Sequence, residues 1–322
     1  MKKVPKRIFC LLLSSLASSV AFGIWGTARA QDFPTHPVEI IVGFAPGGGT
    51  DLTARAVATH GGKYIGQPFV VVNKAGAAGT IASQYVASAK PDGYTLLVAG
   101  GSETTSVGHF RKLPYHPIND FEPVICLVRQ DIGLSVKADS PWKTIQDFLA
   151  DAKKNPEKYS YASSGIGGLY HSAGLVLEKM AGVTLRHVPF KGGAETLSAL
   201  LGGHVDVAIS APDEAFALIE SGKIRSLVVF GAKRSPLIAN VPTMQEVGYD
   251  FYMGNMKGLV APKGTPKEIV AKLHNSLKRM TEDPGFKESL EKVKLELYYM
   301  NSEDFGKAMK FMYDLIGEAV KK

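Results

Sequence analysis

The stretch Val38–Leu52, VEIIVGFAPGGGTDL, decides how this chain is read. An apolar run from Val38 to Phe44 ends at a proline and three glycines, then Thr50 and Asp51 open a segment with helical spacing. That order predicts a strand, a glycine turn and a helix N-terminus. Such a turn leaves backbone N–H groups pointing outward with the positive end of the helix dipole behind them, which suits an anion without any cationic side chain. Two readings fit the spacing: an anion seat, or a tight strand–helix turn in which Thr50 or Asp51 caps the helix. A second segment, Tyr159–Met180 (YSYASSGIGGLYHSAGLVLEKM), repeats the logic with a Ser/Gly turn. The two turns lie about 115 residues apart, roughly one domain length, which predicts two lobes closing on one acidic ligand.

The first 30 residues are expected to be a cleaved leader. Lys2, Lys3, Lys6 and Arg7 precede a mostly apolar run, and Ala28-Arg29-Ala30 is a small-x-small cleavage site. Ser14, Ser15, Ser18 and Ser19 interrupt the apolar run, so it falls short of the ~20 apolar residues of a spanning helix. The leader carries five of the 37 basic residues and no acidic one, leaving 32 basic against 30 acidic residues in the remainder, a net of +2. That balance predicts neither a nucleic-acid nor a membrane-surface partner. One cysteine, Cys126, remains after the leader, so no internal disulfide is expected.

Apolar runs of strand type alternate with helical patterns through most of the remainder. Strands are expected at Val38–Phe44, Phe69–Asn73, Thr95–Gly100, Val124–Arg129, Leu134–Lys137, Tyr159–Ala162, Leu185–Val188, Val205–Ile209, Ser226–Phe230 and Lys257–Ala261. Helices are expected at Asp51–Tyr64, Thr80–Ala89, Ile145–Asn155, Tyr170–Met180, Glu195–Leu201, Pro212–Ser221, Pro266–Thr281, Pro284–Lys292 and Ser302–Lys321. The alternation indicates parallel sheets covered by helices, and in such folds ligands sit at the carboxyl ends of strands, where both glycine turns fall. Thr265 before Pro266 and Asp283 before Pro284 read as helix starts.

Other chemistries lack their motifs. After Gly47-x-Gly49 the next fingerprint position is Leu52, not glycine, and no lysine follows the glycines as a Walker loop requires. Ser163 and Ser164 with His171 invite a nucleophile, but no Gly-x-Ser-x-Gly elbow is present. The eight histidines form no metal-binding pair, so no metal and no cofactor is expected. Asp213 lies just past a strand end facing the expected cleft. It reads either as a first-turn residue of its helix or as a ligand-facing carboxylate that favours an ammonium or hydroxyl group.

Several phrases, in order, carry a resemblance: GFAPGGGTD (Gly43–Asp51), GQPFVVVNKAGAAG (Gly66–Gly79), PDGYTLL (Pro91–Leu97), LPYHPINDFEPV (Leu113–Val124), YASSGIGGLYHSAGLVLEKMAG (Tyr161–Gly182), HVPFKGGAETLSALLGGHVD (His187–Asp206), AKRSPLIANVP (Ala232–Pro242) and GLVAPKGTP (Gly258–Pro266). Together they resemble the solute-binding proteins of tripartite tricarboxylate transporters, the TctC or Bug (Bordetella uptake gene) family. The resemblance implies an α/β, two-lobed periplasmic binding protein of type II topology, each lobe a mainly parallel sheet flanked by helices, with a hinge between. Residues 31–129 and 256–322 would form lobe 1 and residues 130–255 lobe 2, with crossings near Val128–Gly133 and Tyr252–Gly258. It implies that both glycine turns grip a ligand carboxylate. The chain departs from the family pattern at Ser106-Val107, at Asn255-Met256-Lys257 and at Asp213, all in segments expected to border the cleft.

The sequence thus leads to a periplasmic receptor without catalytic residues. It would capture a small organic carboxylate between two lobes and deliver it to the membrane subunits of a tripartite tricarboxylate-type transporter. The ligand-binding residues expected are Phe44, Ala45, Gly47, Gly48, Gly49, Thr50, Asp51, Ser102, Ser163, Ser164, Gly165, Gly167, His171 and Asp213. Because the donors among them are neutral, the site is expected to need no buried cation. The rival readings are a periplasmic α/β hydrolase-like enzyme using Ser163 or Ser164, and a binding protein, monomeric in either role, that feeds only a sensor kinase.

Overall fold

The decisive stretch folds as its spacing dictates. Val38–Val42 forms strand β1, with Val38, Ile40, Ile41 and Val42 fully buried, as a strand covered on both faces requires. The strand stops at Val42 rather than Phe44 because Gly43 packs against the backbone of Gly79, where a Cβ would lie 2.6 Å from the Gly79 Cα. Helix α1 follows over Gly49–His60. This computed structural model describes residues 33–321, and the expected leader lies outside them.

The chain continues through α2 (Gly62–Ile65), β2 (Phe69–Asn73), α3 (Thr80–Ala87), β3 (Thr95–Ala99), α4 (Ser102–Thr105) and β4 (Phe121–Gln130). Then come β5 (Gly133–Lys137), α5 (Ile145–Lys154), β6 (Ser160–Ser163), α6 (Leu169–Ala181), β7 (Arg186–Pro189), α7 (Gly193–Leu201), β8 (Val207–Ser210), α8 (Pro212–Glu220) and β9 (Ile224–Val229). The last group is β10 (Asn255–Pro262), α9 (Lys267–Thr281), α10 (Pro284–Lys292), β11 (Leu297–Met300) and α11 (Ser302–Val320).

The strands form two sheets, ordered β11-β4-β10-β3-β1-β2 and β7-β6-β8-β5-β9. Strands β1, β2, β3 and β4 run one way in the first sheet, and β6, β7, β8 and β9 run one way in the second. Each sheet is mainly parallel in strand direction, as expected, with antiparallel insertions. β10 inserts antiparallel between β3 and β4, and β5 inserts antiparallel between β8 and β9. In each sheet the inserted strand is the one on which the chain arrives from the other sheet. The chain leaves the first sheet at Gln130, enters the second at Gly133, and returns on β10 at Asn255. Helix α11 packs on both β4 and α6, so the C-terminal helix braces the two sheets together.

Several local expectations shift. The helix expected over Asp51–Tyr64 breaks at Gly61, where a Cβ would stand 2.8 Å from the Phe69 ring. Thr265 does not cap α9. Its hydroxyl donates to the Pro262 carbonyl at 2.8 Å, and Pro266 takes the cap position. Asp283 does cap α10, accepting from the Gly285 N–H at 2.8 Å. Asp206 precedes β8 instead of lying within it, and its carboxylate accepts from the Ser160 N–H and hydroxyl, each at 2.8 Å. Cys126 is a buried free thiol whose surroundings push its pKa up to about 12.

A candidate ligand-binding cleft

The loops at the strand ends of both sheets enclose a cleft of about 510 Å³. Its first wall comes from Gly43–Ala45 and Gly48–Thr50 of the β1–α1 turn, from Ala75, Gly76 and Ala78, and from Gly101–Glu103 after β3. Its second wall comes from Ser164–Ile166 and Gly168–Tyr170 of the β6–α6 turn, Lys191–Gly193 of the β7–α7 turn, and Glu214 of α8. Gln130 and Asn255–Lys257, on the two strands at which the chain changes sheets, with Val98 and Ala99 of β3, complete the lining.

Three long helices begin at this cleft, beside the four-residue α4, and none of them is capped by the side chain of its own N-cap residue, which in each case is glycine. The N-cap residues of α1, α6 and α7 are Gly48, Gly168 and Gly192, each with extended backbone. Elsewhere α5 is capped by Thr144, α10 by Asp283 and α11 by Asn301, while α2, α3, α8 and α9 also lack a side-chain cap. An uncapped first turn leaves N–H donors without intrahelical partners. Among the described residues, the N–H groups of Gly48, Gly49 and Thr50 donate to no protein acceptor. Three such ends around one space concentrate donors and partial positive charge where an anion would sit.

The structure distributes the expected ligand-binding residues between the cleft surface and the layer behind it. Phe44, Ala45, Gly48, Gly49, Thr50, Ser102, Ser164 and Gly165 line the cleft. Ser102 also links the walls, its hydroxyl accepting from the Leu169 N–H at 3.1 Å. Gly47 and Asp51 lie outside the lining. Asp51 is buried and accepts from the Gly47 N–H at 2.8 Å, from Arg55 Nε at 2.8 Å and from Asn73 Nδ2 at 2.9 Å. Burial opposes its charge, but the Arg55, Gly47 and Asn73 hydrogen bonds together hold its carboxyl below the usual carboxylate range. It thus braces the turn from behind.

Ser163, Gly167 and His171 form a similar layer behind the second wall. The Ser163 hydroxyl is fully buried and lies 2.7 Å from His187 Nε2. The Gly167 N–H donates to His171 Nδ1 at 3.0 Å, and the Gly167 carbonyl accepts from Ser106 Oγ at 2.7 Å. His171 and His187 stack with ring centroids 3.9 Å apart, and burial draws each down to about 4, so both are neutral at pH 7. Asp213 is in the first turn of α8, outside the lining, where its carboxylate accepts from Gln130 Nε2 at 2.7 Å.

Sequence reasoning missed the charged floor. Lys257 lines the cleft and is only 2% exposed, which overturns the expectation of a cleft without a buried cation. Burial draws its ammonium down to about 8, against the attraction of Glu103, Asp213 and Glu214. Glu103, also in the lining and buried, accepts from the Gly101 N–H at 2.9 Å through Oε1, while Oε2 has no hydrogen-bond partner among the described residues. Burial raises its carboxyl. The cleft walls, with Asp213 beside it, also hold the Glu214 carboxyl above its ordinary value. Tyr170, Gln130 and the Gly192–Gly193 turn were missed as well, whereas Asn255-Met256-Lys257 was expected to border the cleft, as it does, without being named among the ligand-binding residues. The Gly192–Gly193 turn had a signal: a strand, two glycines and a helix, the logic of Val38–Leu52 again. Among the described residues no group of side chains is arranged to hold a metal ion.

Known proteins share this architecture over most of its length. Residues 53–320 match the tripartite tricarboxylate transporter family receptor, TctC. A Cupriavidus necator protein described as a UPF0065 protein in the gbd 5' region is 38% identical over 308 residues, covering 94% of this chain and 93% of that protein. The ligand-free crystal structure of a TctC solute-binding protein from Polaromonas superposes with a TM-score of 0.81 at 31% identity, covering 89% of this chain and 99% of the other. MatC from Rhodopseudomonas palustris with bound malate superposes with a TM-score of 0.70 at 30% identity, covering 88% and 100%. With the mixed two-sheet topology and the glycine-turn cleft, these matches mean that the chain belongs to the tripartite tricarboxylate transporter receptor family, TctC.

Proposed function

We propose that the protein is a periplasmic solute receptor that captures a small organic carboxylate in the cleft and hands it to the membrane subunits of a tripartite tricarboxylate-type transporter. The observation that carries this reading is the convergence of three glycine-capped helix N-termini, those of α1, α6 and α7, on one cleft. Malate bound to a family member of the same fold supports it. In this reading residues 33–129 and 256–321 form one lobe and residues 130–255 the other. The ligand enters between them, and closure expels water and strengthens each charge-assisted bond. Gly48–Thr50 hold the ligand from one lobe, and Ser164, Gly165 and Gly168 from the other. Asp51, Gly167 and His171 keep those turns in shape. Docking is confined to the closed form, because a ligand acts through its differential affinity for the two states.

The protein acts as a receptor and not as a hydrolase. Ser163 is buried behind the cleft wall, and Ser164 has no histidine partner among the described residues. The deciding experiment is a thermal-shift screen of the leader-free protein against mono-, di- and tricarboxylates, aromatic acids and amino acids, repeated after denaturation and refolding to strip any carried ligand. Ligand at 100 times its Kd adds about 2.7 kcal/mol to native stability. A clear shift with one carboxylate class is the expected result. No shift with any acid after refolding would overturn the reading.

A further inference from the structure

A helix N-terminus attracts anions and disfavours cations. Against that rule, a lysine is packed onto the first residue of α1. The Cε of Lys257 lies 3.0 Å from the point where a Cβ on Gly49 would stand. The side chain is 98% buried, and among the described residues its ammonium has no ion pair within 4.0 Å. Glu103, Asp213 and Glu214 act on it only from a distance. Two positive ends, the ammonium and the unpartnered N–H groups of α1, thus share one part of the cleft. Local arrangements that break an electrostatic rule inside a cleft mark function more often than fold. The register of β10 against β4 shifts between Lys257 and Gly258, the kind of irregularity that re-aims a side chain next to a binding site.

We propose that Lys257 is a ligand-binding residue whose ammonium, together with the N-terminus of α1, holds a carboxylate of the ligand and makes the cleft demand an anion. This rests on the reading of the cleft as a carboxylate site and adds its principal charged contact. An unpaired buried cation costs stability when the cleft is empty and repays it only when an anion arrives. A binding role and a structural role therefore predict opposite signs. Lys257→Met keeps the length of the side chain and removes the charge.

The test compares wild type, Lys257→Met and Lys257→Arg by thermal melting without ligand and by calorimetric titration with malate, adipate, aspartate and propionate. The expected result is a Lys257→Met protein that melts higher than wild type when empty, yet binds the tightest wild-type probe at least thirtyfold more weakly. Lys257→Arg, which keeps the charge, should retain binding within tenfold. Affinity of Lys257→Met within threefold of wild type would overturn the inference and leave the receptor reading standing. A lower melting temperature together with lost affinity would assign Lys257 to the fold and also overturn it. Binding of none of the four probes by refolded wild type would remove the inference along with the carboxylate reading beneath it. Should Lys257→Met fail to fold, Lys257→Gln is measured in its place.

Discussion

The side-chain amide of Gln130 donates to the Asp213 carboxylate at 2.7 Å, and its oxygen accepts from Asn255 Nδ2 at 3.4 Å. Gln130 is the last residue of β4 and Asn255 the first of β10, and the two are register partners. Both positions at which the chain changes sheets are therefore tied to the first turn of α8. A hydrogen bond to a charged group is worth about 1.5–3 kcal/mol. If this one forms as the two walls approach, Gln130→Ala should weaken ligand binding about tenfold while the melting temperature of the empty protein changes little. Calorimetric titration and melting of the same variant check this. An unchanged affinity with a lowered melting temperature would mean that the bond persists in every state.

Gly48 offers the most direct probe of the first anion seat. Its backbone is extended with φ −79°, which any residue adopts, and the nearest neighbour to an added Cβ is the Ala45 carbonyl at 3.8 Å. Gly48→Asp thus places a carboxylate in the seat without straining the turn. Asparagine or aspartate at this position is also a good helix N-cap, only slightly better than glycine, so stability should hold or rise by about 0.3 kcal/mol. Ligand affinity should fall at least a hundredfold. Unchanged affinity in a folded Gly48→Asp protein would remove the β1–α1 turn from the site.

Asp51 supports the same turn from behind, and its loss should act on the fold first. Asp51→Ala removes the acceptor of the Gly47 N–H and of Arg55 Nε and one of the two acceptors of the half-buried Asn73 amide, which also donates to the Phe44 carbonyl. Because Gly47 is exposed and its N–H can turn to water, the total loss should be about 1–3 kcal/mol. The pH dependence follows from its depressed pKa. The stabilisation is fully present above the unfolded value near 3.8 and is lost as pH falls through the lower folded value. Wild type and Asp51→Ala should therefore converge in stability at strongly acid pH. A constant gap in chemical denaturation down to pH 2 would contradict the assignment.

What the sequence could not show follows from these same contacts. The two glycine turns and the order of strands and helices were legible because local chemistry dictates them: β-branched runs, glycines where the chain turns, and caps such as Asp283. Asp51 was legible as a residue of the turn, but its inward direction depends on Asn73, 22 residues away. Lys257 was legible as a residue bordering the cleft but not as a buried cation, because a lysine at the start of an apolar run carries no local sign of its burial. Only the pairing of β10 between β3 and β4 puts it under α1. Strand β11 was missed because LYYM is short and only half-buried, and its partner β4 lies far away in the chain. The antiparallel insertion of β5 and β10 is likewise a property of the crossings, which no local window contains.

The charge on Lys257 also gives the protein a pH signature. Burial draws its pKa from 10.5 to about 8, so between those values the unfolded chain binds more protons than the folded one. Stability attributable to this group therefore rises as pH climbs from about 8 to 10.5. The groups facing it are Glu103 of α4, Asp213 and Glu214 of α8, and the Cys126 thiol of β4. Of these, only the thiol has its ordinary pKa, 9.0, inside that window, and burial carries it up to about 12. A carboxylate bound beside Lys257 favours its charged form, so binding near pH 8.5 should take up a fraction of a proton. Calorimetric titration in two buffers of different ionisation enthalpy measures that uptake directly. It should be positive in wild type and absent in Lys257→Met, whereas equal heats in both buffers for wild type would mean that the ammonium does not meet the ligand.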